Sequence, residues 1–206
     1  MSYKRLKIGV QRFFAPYMVI EGNNIRFPYS IGDHVLGQEY WTENGVRIPT
    51  GKGIWLVVEC LPVSVSDLFI GHSASELLCF CHYHTGLISG TYQSAFAALG
   101  LVPGREQFAR LRSLFPNAKI HTVFDTGISG RVADCKIATW QLGKQASFTL
   151  SDDHGELYCN KRQYRIPIDI FSLSRFEKLA GIRSGIRTHK PQTPFETFYD
   201  SFIVSD

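Results

Sequence analysis

Nothing among the 206 residues of this chain approaches the roughly 20 consecutive apolar residues that a bilayer-crossing helix needs. No membrane span is therefore expected. The basic opening MSYKRLKIGVQRFF has no continuous apolar segment, so it does not read as a signal peptide. Cysteine is sparse and odd in number: Cys60, Cys79, Cys81, Cys135 and Cys159. One residue separates Cys79 from Cys81, too close for a zinc pair, and no second pair follows. Reduced thiols and a cytoplasmic location are expected. Repeats and low-complexity stretches are also missing. What remains is 44% hydrophobic and 19% charged, the balance of a folded chain long enough to bury a real core.

The net charge of +4 is modest but unevenly spread. Residues 161–190 hold Lys161, Arg162, Arg165, Arg175, Lys178, Arg183, Arg187 and Lys190 against only Asp169 and Glu177. Lys4, Arg5, Lys7 and Arg12 add a second basic stretch. Clustered cations attract phosphate backbones through counterion release. Tyr164, Phe171 and Phe176, interleaved among them, suit base stacking. Lys161, Arg162, Arg165, Arg183, Arg187 and Lys190 are thus candidate contacts to DNA or RNA, a solvated surface being the plainer alternative.

The first 60 residues read as β-rich. Residues 19–20, a polar turn, and residues 25–29 form one strand–turn–strand unit. Further strands are expected over 35–41, 46–48 and 54–59. From about Ser66 the pattern alternates: a strand at 68–70, a helix at 76–84, a strand at 96–99, a helix at 103–115, a strand at 119–124 and a helix at 132–142. Such a series calls for a mainly parallel sheet. Residues 147–168 suggest a hairpin. Ser174 and Glu177 fit a capping box for a short helix at 175–179. Residues 185–194 read as a loop, and Phe195, Phe198, Tyr199 and Phe202 as the apolar stripe of a last helix. That stripe fits docking on a core, or a partner surface.

The most informative stretch is IHTVFDTGISGRVA, residues 120–133: an apolar β-branched run ending on Asp125 and breaking into a glycine-rich turn. An acid at the carboxyl end of a buried parallel strand sits where open α/β sheets place ligands. Asp125 is therefore a candidate metal or phosphate-site residue, and Arg131 at the helix entry a candidate phosphate contact. Alternatively, Asp125 accepts hydrogen bonds from the turn amides, and Arg131 caps its own turn. His82 and His84, at i and i+2, do not share a helical face and make a poor metal pair. His72 and Ser73 lie beside the presumed site, but neighbours in sequence rarely form a nucleophile–base pair.

Asp125, Gly130, Arg131 and Ala133 resemble, in register, the Asp-x-Asp, Gly-Arg, Ala motif of the Toprim domain shared by bacterial primases and topoisomerases. Ala98-Leu99-Gly100 and Gln107 match the preceding outline, and residues 25–37 resemble the strand–turn–strand ahead of primase Toprim domains. The resemblance covers about residues 20–145. It implies an α/β fold with a Toprim-like mainly parallel sheet over 65–146. An antiparallel β-rich lead-in over 1–64 would precede it, and a basic hairpin-plus-helix extension over 147–206 would follow. It also implies Mg²⁺-dependent chemistry on nucleic acid, for which the family uses a glutamate and paired aspartates. Here Gly71, Ser75 and Gly127 stand at three of the acidic positions. The expectation is a catalytically depleted protein of a mobile genetic element, binding nucleic acid or a replication or mobilisation partner. The alternatives are a surviving nuclease or nucleotidyltransferase using Asp125 with Glu76 or Asp134, and a protein-interaction module. Oligomeric state is not legible.

Overall fold

The computed structural model describes residues 2–90, 93–159 and 162–205. A short helix not expected from the sequence, α1 (Ile8–Phe14), opens the fold and buries Val10 and Phe14. It leads into a four-stranded antiparallel sheet of β1 (Val19–Glu21), β2 (Asn24–Ile31), β3 (His34–Thr42) and β4 (Gly45–Arg47), in that spatial order. Strict alternation turns Ile25, Phe27 and Tyr29 inward on β2 and Glu39 and Trp41 inward on β3. Four of these five residues are apolar or aromatic. The fifth is a carboxylate at a core position.

The expected strand at 54–59 forms, but in the other sheet. β5 (Trp55–Val58) pairs antiparallel with β7 (Ser94–Ala98), beside the parallel strands β6 (Asp67–Gly71) and β8 (Lys119–Val123). The spatial order is β12-β8-β6-β7-β5, where β12 (Arg187–Thr188) is a two-residue strand within the segment read as a loop. Helix α2 (Ala74–Tyr83) connects β6 to β7, and α3 (Arg105–Leu114) connects β7 to β8. Helix α4 (Ile128–Gln141) follows β8, starting four residues before the expected 132 because Gly127 already serves as its N-cap.

Alternate residues of these strands feed two cores. Phe69 and Phe96 face α1, α2 and the antiparallel sheet, in a cluster running from Tyr3 to Phe202. Leu68, Ile70, Ala95 and Ala97 face Phe108 and Leu111 of α3 and Ala133 and Ile137 of α4. Both faces are covered, which is why β6 and β7 are apolar without interruption from Leu68 to Ile70 and Ala95 to Ala98.

Residues 147–168 make two hairpins rather than one. β9 (Ala146–Leu150), β10 (His154–Cys159) and β11 (Arg162–Pro167) form a three-stranded antiparallel sheet, its order β11-β10-β9. α5 (Leu173–Ala180) packs Phe176 and Leu173 against Leu157 and Ile166 of that sheet. Its N-cap is Ser172, whose hydroxyl accepts from the Arg175 amide, not Ser174. Glu177 is drawn elsewhere, accepting from the Ser184 amide at 2.8 Å, so the expected capping box does not form. α5 ends on Gly181 in the left-handed region (φ 61°), as a glycine C-cap permits. The last helix, α6 (Phe198–Val204), buries Phe198 and Phe202 against α2 and Trp41. Phe198, Tyr199 and Phe202 of the aromatic stripe are thus spent on the chain's own core, while Phe195, expected to share the helix, precedes it.

Candidate functional site

Helices α2 and α4 leave the neighbouring strands β6 and β8 on opposite faces of the sheet. The carboxyl ends of those two strands therefore open onto a crevice, the position where α/β sheets hold ligands. His72 follows β6 and Asp125 follows β8, and His72 Nδ1 lies 3.3 Å from Asp125 Oδ2. The Gly130 amide donates to Asp125 Oδ1 at 3.3 Å. Burial works to raise the Asp125 carboxyl, but His72, the Gly130 amide and Lys190 outweigh it and hold it below its usual value. Gly130 is sterically required, since a Cβ there would lie 2.2 Å from the Asp125 carbonyl oxygen.

The other carboxylates near the crevice have internal partners. Glu76 Oε1 accepts from the Phe198 amide at 2.6 Å and Oε2 from the Tyr199 amide at 2.9 Å, across the start of α6. Burial pushes its carboxyl up to about 7, and the two amides offset only part of that. Asp134, expected to reach back toward Asp125, instead takes the Lys190 ammonium at 2.8 Å and the Thr122 hydroxyl at 2.6 Å. Burial raises its carboxyl too, against the pull of Lys190. Lys190 also donates to the carbonyls of Asp125 at 2.8 Å and Phe124 at 3.0 Å.

A fourth carboxylate was not legible as a site residue in the sequence. Glu39 of β3 is fully buried and accepts from the amides of Ala74 (2.7 Å) and Ser75 (2.9 Å) and from the Tyr29 hydroxyl (2.6 Å). It fills the N-terminus of α2, where the free amides and the helix dipole favour an anion. An acid on the inward register of a core strand was the available signal. Ser73 caps the same turn, accepting from the Glu76 amide at 3.0 Å and contacting the Ser75 hydroxyl at 3.2 Å. No contact joins Ser73 to the His72 ring among the described residues, so a nucleophile–base pair is not formed there.

The Mg²⁺ that the resemblance implied does not fit these residues. Magnesium needs several hard oxygen ligands in near-octahedral geometry, and no three His, Cys, Asp or Glu side chains converge among the described residues. A Cβ on Gly71 would meet the Val123 carbonyl oxygen at 3.0 Å, and one on Gly127 would meet Asp125 Oδ1 at 2.8 Å. Neighbouring backbone at Gly71 and the Asp125 carboxylate at Gly127 thus take the space a side chain would need. An ammonium, Lys190, neutralises Asp134 in addition.

The basic residues are distributed over several surfaces. Arg131 is tied inward, Nε donating to the Thr126 carbonyl at 2.6 Å and Nη1 to that of Phe171 at 3.2 Å, which anchors α4 to the loop before α5. Arg131 and Lys190 line a cleft of about 470 Å³ together with Asp134, Asp169, Ile170 and Phe171. Arg165 lies opposite Glu156 across the β10–β11 ladder, with Asp153 at 3.9 Å and His154 Nδ1 at 2.8 Å, so acids offset its charge. Lys161 lies outside the described residues. Arg162, Arg175, Lys178, Arg183 and Arg187 are exposed, and none makes an ion pair among the described residues. Arg175 and Lys178 stand one helical turn apart on α5, away from the buried Leu173 and Phe176. Tyr164, Phe171 and Phe176, the candidate stacking residues, pack instead into the apolar cluster that joins α4, α5 and the β9–β11 sheet.

No helix among the described residues is long and apolar enough to cross a membrane. No protein-family model matches the chain, and no curated protein sequence does.

Proposed function

We propose that this chain is a catalytically inactive, Toprim-like module that binds nucleic acid through the exposed cations of its C-terminal third. The observation that carries this reading is a division of labour among its charges. Asp125, Glu76 and Asp134 are each tied to internal partners, while Arg162, Arg175, Lys178, Arg183 and Arg187 remain exposed and without ion pairs among the described residues. Held carboxylates are poor acid–base or metal-binding groups, whereas free cations release counterions when they meet phosphates. A replication or mobilisation complex of a mobile genetic element is the setting that fits such a module.

The test is fluorescence anisotropy of labelled single- and double-stranded DNA and RNA across a salt series. The chain is expected to bind at least one of them, with affinity falling steeply as salt rises. Replacing Arg175, Arg183 and Arg187 together by Ala should flatten the log–log salt slope by about one for each phosphate no longer neutralised. An unchanged slope would remove these cations from the interface. Cleavage of the probe in Mg²⁺, abolished in Asp125→Asn, would overturn the inactive reading in favour of a nuclease.

A further inference from the structure

Strand edges are where one chain can pair with another, and a fold guards them with charge, proline, shortness or cover. β1 and β4 are three residues long and β12 two. β5 lies under the Ser30–Ile54 bridge and the Tyr17 hydroxyl, which donates to the Val58 carbonyl at 3.0 Å. β11 carries Arg162 and Arg165 and closes on Pro167. β9, the opposite edge of the same three-stranded sheet, has none of these guards among the described residues. Its five residues, Ala146–Leu150, include no charge, proline or glycine, and no described strand other than β10 pairs with it.

The Ser151 amide donates to the His154 carbonyl at 2.9 Å, across the hairpin into β10. Main-chain groups alternate sides along an antiparallel strand, so those of Thr149 and Ser147 also face β10, opposite Glu156 and Tyr158. The N–H and C=O of Ala146, Phe148 and Leu150 therefore face outward. Leu150 is 45% exposed, and Phe148 is half-buried against Phe176, their ring centroids 6.2 Å apart. Lys144 precedes the strand and Asp152 follows it, each four residues from Phe148. Neither makes an ion pair within its own chain among the described residues.

We infer that β9 is a self-association edge, pairing antiparallel with β9 of a second copy about a two-fold axis at Phe148. In that register Phe148 faces its own counterpart and Ala146 faces the second copy's Leu150. Each pair exchanges its outward N–H and C=O groups. The flanking charges select the register: Lys144 of each copy lies beside Asp152 of the other, so one surface complements itself, as a two-fold interface requires. Slipping by two residues, the smallest shift that keeps the outward groups paired, loses both ion pairs. A second copy thus brings an acid to Lys144 and a base to Asp152 without any further partner. Side chains of paired residues share a face, so both α5 helices lie on the same side of the joined sheet, which takes three strands from each copy. Arg175 and Lys178 of both copies are then presented together, a consequence that rests on the nucleic-acid reading. The pairing itself does not.

The experiment is sedimentation velocity of the full chain over a concentration series, in which the mass should rise from that of one chain toward that of two. Leu150→Pro removes an outward N–H at an edge position, where proline is tolerated. It should weaken association roughly tenfold, since symmetry removes the hydrogen bond twice. Lys144→Asp sets like charges together at both ends and should weaken association by a similar factor, more at low salt than at high. Joining Asp152→Lys to Lys144→Asp exchanges the pairs and should restore association to the wild-type level, which a misfolded strand would not do. Circular dichroism checks that each variant folds. A chain that stays monomeric throughout the series would overturn the proposal, as would association indifferent to Leu150→Pro or to Lys144→Asp. Association lost in Lys144→Asp and not recovered in the double exchange would overturn it as well. Mass is read without nucleic acid, so failure of nucleic-acid binding leaves this result unaffected.

Discussion

Glu76 Oε1 accepts the backbone N–H of Phe198 at 2.6 Å, joining the first turn of α2 to the first turn of α6 across most of the chain. A carboxylate that reads in sequence as an acid beside an active site is, in the fold, a clasp for the last helix. Its carboxyl is pushed up to about 7 by burial, so between the unfolded value near 4.5 and that pH the folded chain holds the extra proton. Stability from this group is complete below pH 4.5 and declines as pH rises toward 7. Glu76→Gln should lack that decline. Thermal melts of both proteins across pH 4.5 to 8 are expected to show the advantage of wild type over Glu76→Gln shrinking as pH rises. A constant gap would mean the carboxyl titrates normally.

The slope from His189 has the opposite sign. Its ring stacks on His121, with Nε2 at 2.9 Å from His121 Nδ1, while His121 Nε2 meets Asp67 at 2.9 Å. Burial, and then the nearby His121, His84 and Arg187, push His189 down to about 4. The unfolded chain therefore binds the extra proton between pH 6.5 and 4, and stability falls away as pH drops through that window. His189→Gln should be less acid-labile than wild type there, as read by urea midpoints at pH 4.5 and 7. If the two proteins lose stability in parallel, His189 is not the group responsible.

Glu39 closes three donors at once. Glu39→Ala leaves the Ala74 and Ser75 amides without their acceptor and the Tyr29 hydroxyl with only the His72 carbonyl at 3.3 Å. A loss of about 3 kcal/mol is expected from unsatisfied buried donors, and Glu39→Gln, which keeps one acceptor, should lose less. Denaturant unfolding measures both. A loss below about 1 kcal/mol in the alanine variant would mean water or a rearranged helix start replaces the carboxylate.

Adding a second acid beside Asp125 is not expected to create chemistry. Gly127→Asp places a Cβ at 2.8 Å from Asp125 Oδ1, so the Asp125 carboxylate must turn aside and lengthen its contacts to His72 and the Gly130 amide. Lys190 still holds Asp134 at 2.8 Å. No Mg²⁺-dependent cleavage of labelled DNA should appear in this variant. Turnover that vanishes again on adding Asp125→Asn would show the site to be closer to competence than its packing implies.

Much of the architecture was legible because hydrophobic periodicity and turn chemistry are local. Residues 19–48 alternate in ways that only strands satisfy, and their turns carry glycine where φ is positive, at Gly22, Gly32 and Gly45. The β6–α2–β7–α3–β8–α4 series was equally plain, as was the inward-facing stripe of α6. Local signals failed where partners are distant. β12 is two residues long and exists because His121 and Thr122 of β8 offer a ladder for it. β5 has an ordinary strand sequence, and nothing in it says which of two sheets it will join.

The same division runs through the candidate site. The sequence by itself determined that Asp125 follows a buried strand, that glycines shape the turn after it, and that cations gather near the C-terminus. Only the tertiary structure decided what those charges meet: His72 for Asp125, the α6 amides for Glu76, Lys190 for Asp134, and solvent for Arg175, Arg183 and Arg187. A charge is a property of one residue. The field and the hydrogen bonds around it come from elements tens of residues away, and burial fixes how strongly they act.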